Sequence, residues 1–196
     1  MEQIIKQAIA GSDADYTEIR IEHEARSQVL FRKDKLENIE GSREQGGIVR
    51  ALKDGGWGIA AFNDISDLPR KVKEATRMAQ LVAASIDEPV ELAAVEPVQQ
   101  VVKADLKNDF RSVPLEEKKK LIEEYNRILL GYDKRIVSTN TRYTDSFRTV
   151  TFANSEGAFI VQEVPDITLM LMAVASVGSQ NIQQGFESLG KAAGYE

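Results

Sequence analysis

The residue most suggestive of chemistry is the single histidine, because His23-Glu24-Ala25-Arg26-Ser27 begins like the helical zinc motif in which two histidines bracket a general-base glutamate. A zinc site needs three or four converging His, Cys, Asp or Glu ligands, whereas this chain has one histidine and no cysteine. The second histidine of the motif is missing, and the local pattern is that of a strand, in which residues i and i+4 lie ~13 Å apart. His23 is therefore read as a strand-surface histidine; no residue is assigned to catalysis and none to a metal. The lack of cysteine removes disulfides and thiolate nucleophiles and fits a reducing compartment.

Four other residues are candidates for peptide access or for an interface: Trp57, Asn154, Ser155 and Gly157. The lone tryptophan is read first as core, with a groove-lining role as the alternative. Asn154, Ser155 and Gly157 have the side chains and conformational tolerance of a turn, and such a loop can also face a ligand or partner. Gly46-Gly47 and Gly55-Gly56-Trp57-Gly58 lack the strand-to-helix setting of a phosphate loop, so hairpin geometry is the expected reason for them. Glu22 and Glu24 share a strand face and are read as solvent-exposed.

Charge narrows the classes further. The 25 basic and 31 acidic residues leave a net charge of −6, which repels phosphate backbones and argues against nucleic-acid binding. Lys118-Lys119-Lys120, flanked by Glu116, Glu117, Glu123 and Glu124, reads as the solvated face of a helix. At 42% hydrophobic and 29% charged residues the chain is globular in type. No window approaches the ~20 apolar residues of a membrane span, and the start lacks a signal-peptide pattern, so no membrane partner and a cytoplasmic location are expected.

These residues must be carried by helices and antiparallel strands. Ile4, Ile5, Ala8 and Ile9 share a helical face over residues 2 to 10, stopped by Gly11-Ser12-Asp13. Alternation then predicts strands around Tyr16–Ile21, Val29–Phe31, Leu36–Ile39 and Ile48–Leu52. Asp54-Gly55 between apolar runs predicts a tight hairpin into Trp57–Phe62. A helix begins near Asp64, with Pro69 in its first turn, and runs to about Ser85. Pro89 and Pro97 mark residues 87–104 as an extended connector.

The second half opens with a helix from Pro114 to Gly131 striped by Leu121, Ile122, Tyr125, Ile128 and Leu129. Strands follow at 136–142, 148–153, 158–162 and 167–176, the last apolar enough to be central, with Gly178-Ser179-Gln180-Asn181 as its turn. Residues 192–196 read as a helix or linker. The halves superpose in pattern, Phe31 against Phe152, which predicts an internal duplication. The fold class is thus α+β: two helix-plus-antiparallel-meander repeats, 1–86 and 105–196, forming mixed or antiparallel sheets covered by helices.

ADYTEIRIE at 14–22, GGIVRALKDGGWGIAAFND at 46–64, PLEEKKKLIEEYNRIL at 114–129 and TVTFANSEGAFIVQE at 149–163 occur in the order of the opening blocks of the TldD/PmbA family. The sequence resembles that family's amino-terminal domain, on the TldD-like side, over nearly its whole length. The resemblance implies a zinc metallopeptidase, once described as a modulator of DNA gyrase, whose carboxy-terminal domain holds a His-Glu-x-x-x-His helix and a distant cysteine. Neither feature occurs in these 196 residues, so no cofactor is assigned to this chain and zinc belongs to the longer parent.

The implied role is to shape peptide access and subunit assembly. The implied partners are the chain's own carboxy-terminal domain, a second subunit in a homodimer or TldD/PmbA-type heterodimer, and a peptide substrate. The alternatives are a stand-alone binding or regulatory module and a truncated piece of the peptidase.

Overall fold

The computed structural model describes residues 1–178 and 181–196; the expected turn at Ser179-Gln180 lies outside them. The elements run α1 (Glu2–Ala10), β1 (Tyr16–Arg32), β2 (Lys35–Lys53), β3 (Gly56–Phe62), α2 (Leu68–Ala83), β4 (Gln99–Val102), α3 (Leu115–Gly131), β5 (Ile136–Asn154), β6 (Phe159–Val177) and β7 (Asn181–Lys191). The strand order is β3-β2-β1-β5-β6-β4, with β7 on β6. A helix followed by three strands thus occurs twice, giving the α+β class. The sheet is mixed, because β4 pairs parallel with β6 while β3 and β7 pair antiparallel with β2 and β6.

Four strands are longer than the apolar runs predicted. Polar residues 22–28 continue β1, residues 40–47 continue β2, and the paired predictions at 136–153 and 158–176 fuse into β5 and β6. In β1 the polar stretch lies between buried Ile21 and Val29, whereas β2 is exposed or half-buried from its start until Val49; ladder bonds carry the backbone where side-chain patterning lapses. Pro165 falls between the part of β6 paired with β4 and the part paired with β7, so its missing N–H costs no bond on that edge.

The chain forms two compact units, each drawn from both sides of residues 87–104. Unit 1 comprises residues 1–23, 44–103 and 149–163; unit 2 comprises 24–43, 104–148 and 164–196.

In unit 1, Ile5 and Ala8 of α1 and Leu68, Val72 and Ala75 of α2 pack on Ile19, Ile21, Val49, Ala51, Ala60, Phe62 and Ala153. The predicted hairpin forms: Asp54 and Gly55 both have positive φ, and Lys53 pairs with Gly56. Asp15 pins it, accepting from the Asp54 amide at 2.7 Å and pairing with Lys53 at 2.9 Å. Gly56 and Gly58 have a cause beyond hairpin geometry. A Cβ on Gly58 would collide with the α2 backbone at Ala75 and Ala79, so the missing side chain lets α2 lie directly on β3. The connector, expected to stay unpaired to residue 104, ends in β4.

Unit 2 corrects the reading of α3. Its buried residues are Lys118, Ile122 and Asn126, while Tyr125 and Ile128 of the predicted apolar stripe are exposed. Lys118 is thus not part of a solvated face. Its ammonium, 4% exposed, lies 2.5 Å from Asp145 Oδ2 and 2.9 Å from Ser27 Oγ, between the rings of Phe110 and Tyr143. The same carboxylate oxygen accepts from Ser27 Oγ at 2.7 Å and Tyr143 OH at 2.6 Å. Two turns on, Asn126 Oδ1 accepts from Thr139 and Thr141, and its amide donates to the Lys33 carbonyl. The last residues are neither helix nor free linker, since the Tyr195 amide donates to Asn108 O at 2.7 Å.

Candidate functional site

Strand alternation divides the unit 1 sheet into two faces. Thr17, Ile19, Val49, Ala51, Ala60 and Ala153 are buried, several of them in the core that α1 and α2 cover. Tyr16, Glu18, Arg50, Trp57, Phe152, Asn154 and Ile160 therefore fall on the opposite face. That face is crossed by the connector, tied by Val90 N donating to Gly55 O and Phe159 N donating to Val98 O, both at 2.9 Å. Between connector and sheet lies a slot of about 420 Å³, walled by Tyr16, Trp57, Phe152 and Ile160 on one side and Leu92 and Val95 on the other.

Of the sequence candidates, Trp57 and Asn154 line this slot, while Ser155 and Gly157 lie in the adjoining turn outside its lining. Trp57 is half-buried at the wall rather than enclosed in the core, edge-on to Tyr16 with ring centroids 5.9 Å apart. Asn154 lines the slot, donates to Tyr16 OH at 3.3 Å, and accepts from the Ala158 amide at 2.8 Å to close its own turn. Ser155 bonds β1 twice, its amide donating to Thr17 O at 2.8 Å and its Oγ accepting from Thr17 N at 3.1 Å. Gly157 has a φ of 101°, a region that favours glycine, and its carbonyl accepts from Gln99 Nε2 at 3.1 Å.

Sequence reasoning missed the polar members. Tyr16 OH donates to Glu18 Oε2 at 2.8 Å, and Glu18 Oε1 meets Arg50 Nη1 at 2.8 Å. The Arg50 guanidinium stacks on Trp57 at 4.3 Å from the ring centre. Burial, reinforced by the Glu18 carboxylate, raises the Tyr16 hydroxyl to about 12, against the lowering effect of Asn154. A period of two from Tyr16 puts Glu18 beside it, and the Lys53–Gly56 hairpin register puts Arg50 on the Trp57 face; both signals are present in the sequence.

The polar groups at the slot are engaged with one another. Burial holds Tyr16 protonated, Arg50 is paired with Glu18, and Ser155 Oγ accepts from the Thr17 amide. His23 sits at a separate small hollow with Ile21, Gln45 and Phe62. Among the described residues no group of three or more His, Cys, Asp or Glu could hold a metal ion, so the donor set a metallopeptidase needs is not found there. A larger hollow of about 750 Å³ in unit 2, beside Tyr132, Arg135 and β7, holds none of the candidates.

Residues 17–79 match the family described as PmbA/TldA metallopeptidase domain 1, and residues 108–196 match the PmbA/TldA metallopeptidase central domain. The chain belongs to this PmbA/TldD family through these two domains.

Among its relatives, a metalloprotease of Synechocystis sp. is 36% identical over 94% of this chain and 39% of its own length. A metalloprotease of Methanothermobacter thermautotrophicus is 29% identical over 93% of this chain and 38% of its own. The chain thus spans about 40% of the length of the relatives it matches.

Solved structures share the fold. One from Thermotoga maritima, described as a modulator of a DNA gyrase, superposes with a TM-score of 0.78 at 14% identity, covering 98% of this chain and 43% of that one. TldE from Thermococcus kodakarensis gives 0.72 at 19% identity over 98% and 43%. No helix among the described residues is long and apolar enough to cross a membrane.

Proposed function

We propose that this chain is the non-catalytic amino-terminal part of a PmbA/TldD-type zinc metallopeptidase, where it shapes the approach of unfolded peptides to an active site carried by other residues of the full-length protein. The observation that carries the reading is an aromatic slot beside a surface connector, lined by Trp57 and Asn154, with Ser155 and Gly157 in the adjoining turn tied to β1 and to Gln99. A slot with an apolar wall and few polar groups suits a segment of unfolded chain, held by side-chain burial with little sequence demand. The family match supports the peptidase context, and the names of the relatives support a metal in the full-length protein. A cytoplasmic location and assembly with a second subunit, homodimeric or TldD/PmbA-type, are part of the same proposal.

The test compares the product of the complete gene with this 196-residue chain. The reading expects zinc and peptide hydrolysis in the long product and neither in the short one. Hydrolysis by the short chain, or a complete gene ending at Glu196, would overturn it and leave a stand-alone binding module.

A further inference from the structure

The slot has a charge asymmetry that its apolar walls do not explain. Glu18, Glu96 and Glu156 border it, against one cation, Arg50. Arg50 is already satisfied by Glu18 and by stacking on Trp57. Glu96 and Glu156 make no ion pair among the described residues, and both are exposed at the rim. An acidic rim around an aromatic floor attracts a cationic group whose apolar neighbours can be buried beneath it.

The outer wall can accommodate such a segment. Residues 91–97 make no backbone hydrogen bond among the described residues, and the connector is held at its ends by Val90, by Val98 and by the β4–β6 pairing. Leu92 and Val95 border the slot yet remain 42% and 70% exposed, so this wall stands off the floor without filling the space. A volume of about 420 Å³ lies within the roughly 300–1,000 Å³ of ordinary ligand pockets.

Resting on the access role proposed above, we infer that the slot selects peptide segments in which apolar side chains flank a lysine, an arginine or a free α-amino group. The apolar side chains lie between Trp57 and the connector, and the cation meets Glu96 and Glu156. Acidic segments are disfavoured by the same two carboxylates.

The experiment uses the 196-residue chain and its only tryptophan, Trp57, as reporter. Two synthetic pentapeptides with blocked ends, Leu-Val-Lys-Val-Leu and Leu-Val-Glu-Val-Leu, are titrated at low salt while Trp57 emission is followed. The basic peptide is expected to shift the emission and to bind about tenfold more tightly than the acidic one, since repulsive as well as attractive charges discriminate. The double variant Glu96→Gln with Glu156→Gln, both at exposed positions, is expected to abolish that preference. Leu92→Ser with Val95→Ser is expected to weaken both peptides.

Equal binding of the two peptides, no emission change up to millimolar peptide, or an emission change driven by protein concentration alone would overturn the inference. The last result would assign the slot to a second copy of the chain. Zinc and hydrolysis assays of the full-length protein test the access reading separately, so either can fail without the other.

Discussion

Units 1 and 2 use the same elements, a helix against antiparallel strands, and fill the interface in opposite ways. In unit 1, α1 and α2 meet the sheet through aliphatic side chains and two glycines. In unit 2 the fully buried residues of α3 are Lys118, Ile122 and Asn126, two of them polar, with Leu115 packed beside Ile122 on Val29, Phe31 and Tyr143. The first interface is held by burial of apolar area and by the close approach that Gly56 and Gly58 allow. The second places a lysine and an aspartate out of water and depends on every partner being present.

The sharpest way to break this contrast is to remove Asp145. The Asp145→Ala variant leaves Lys118 buried without a counter-charge and is expected to lose about 3–5 kcal/mol in urea unfolding. Replacing both partners, Lys118→Met with Asp145→Leu, should recover most of that loss. A single variant costing under ~1 kcal/mol would show that the pair is not desolvated. The unit 1 counterpart, Leu68→Ala, should cost about 2–5 kcal/mol through the cavity it leaves, with no polar partner to rescue it. Asn126→Ala should cost about 1–3 kcal/mol by stranding the Lys33 carbonyl and the hydroxyls of Thr139 and Thr141.

The smallest effect lies at the slot and depends on pH. Tyr16 has a folded value near 12 against an ordinary 10, so the unfolded state releases its proton first. The stability it contributes is complete below pH 10 and is lost as pH rises toward 12. Chemical denaturation of Tyr16→Phe across that window should show a shallower decline than the parent, and identical slopes would place the tyrosine in open solvent.

The same contrast explains what could be read from the sequence. Unit 1 obeys local rules: Asp54-Gly55 demands its hairpin, Pro69 sets the first turn of α2, and the Ile5–Ala8 face is a plain helical stripe. Unit 2 breaks the rule that polar faces outward. The partners that bury Lys118 and Asn126 lie at positions 27, 33, 139, 141 and 145, pairings that helical periodicity cannot see. β7 was missed because Asn181–Lys191 is wholly exposed and interrupted by Gly185 and Gly190, leaving no alternation of burial to detect. Aromatic and turn chemistry picked out Trp57 and Asn154 at the slot and Ser155 and Gly157 in the turn beside it, while the fold supplied Glu18, Arg50 and the connector as the slot's other walls.

The central claim is that this slot governs peptide access, and the direct measurement is peptide hydrolysis by the full-length protein carrying Trp57→Ala. The account predicts unchanged metal content with a raised KM and kcat largely retained, as expected of a side chain proposed to meet the approaching peptide away from the reacting bond. Unchanged KM in a folded variant, or a loss of kcat alone, would contradict it.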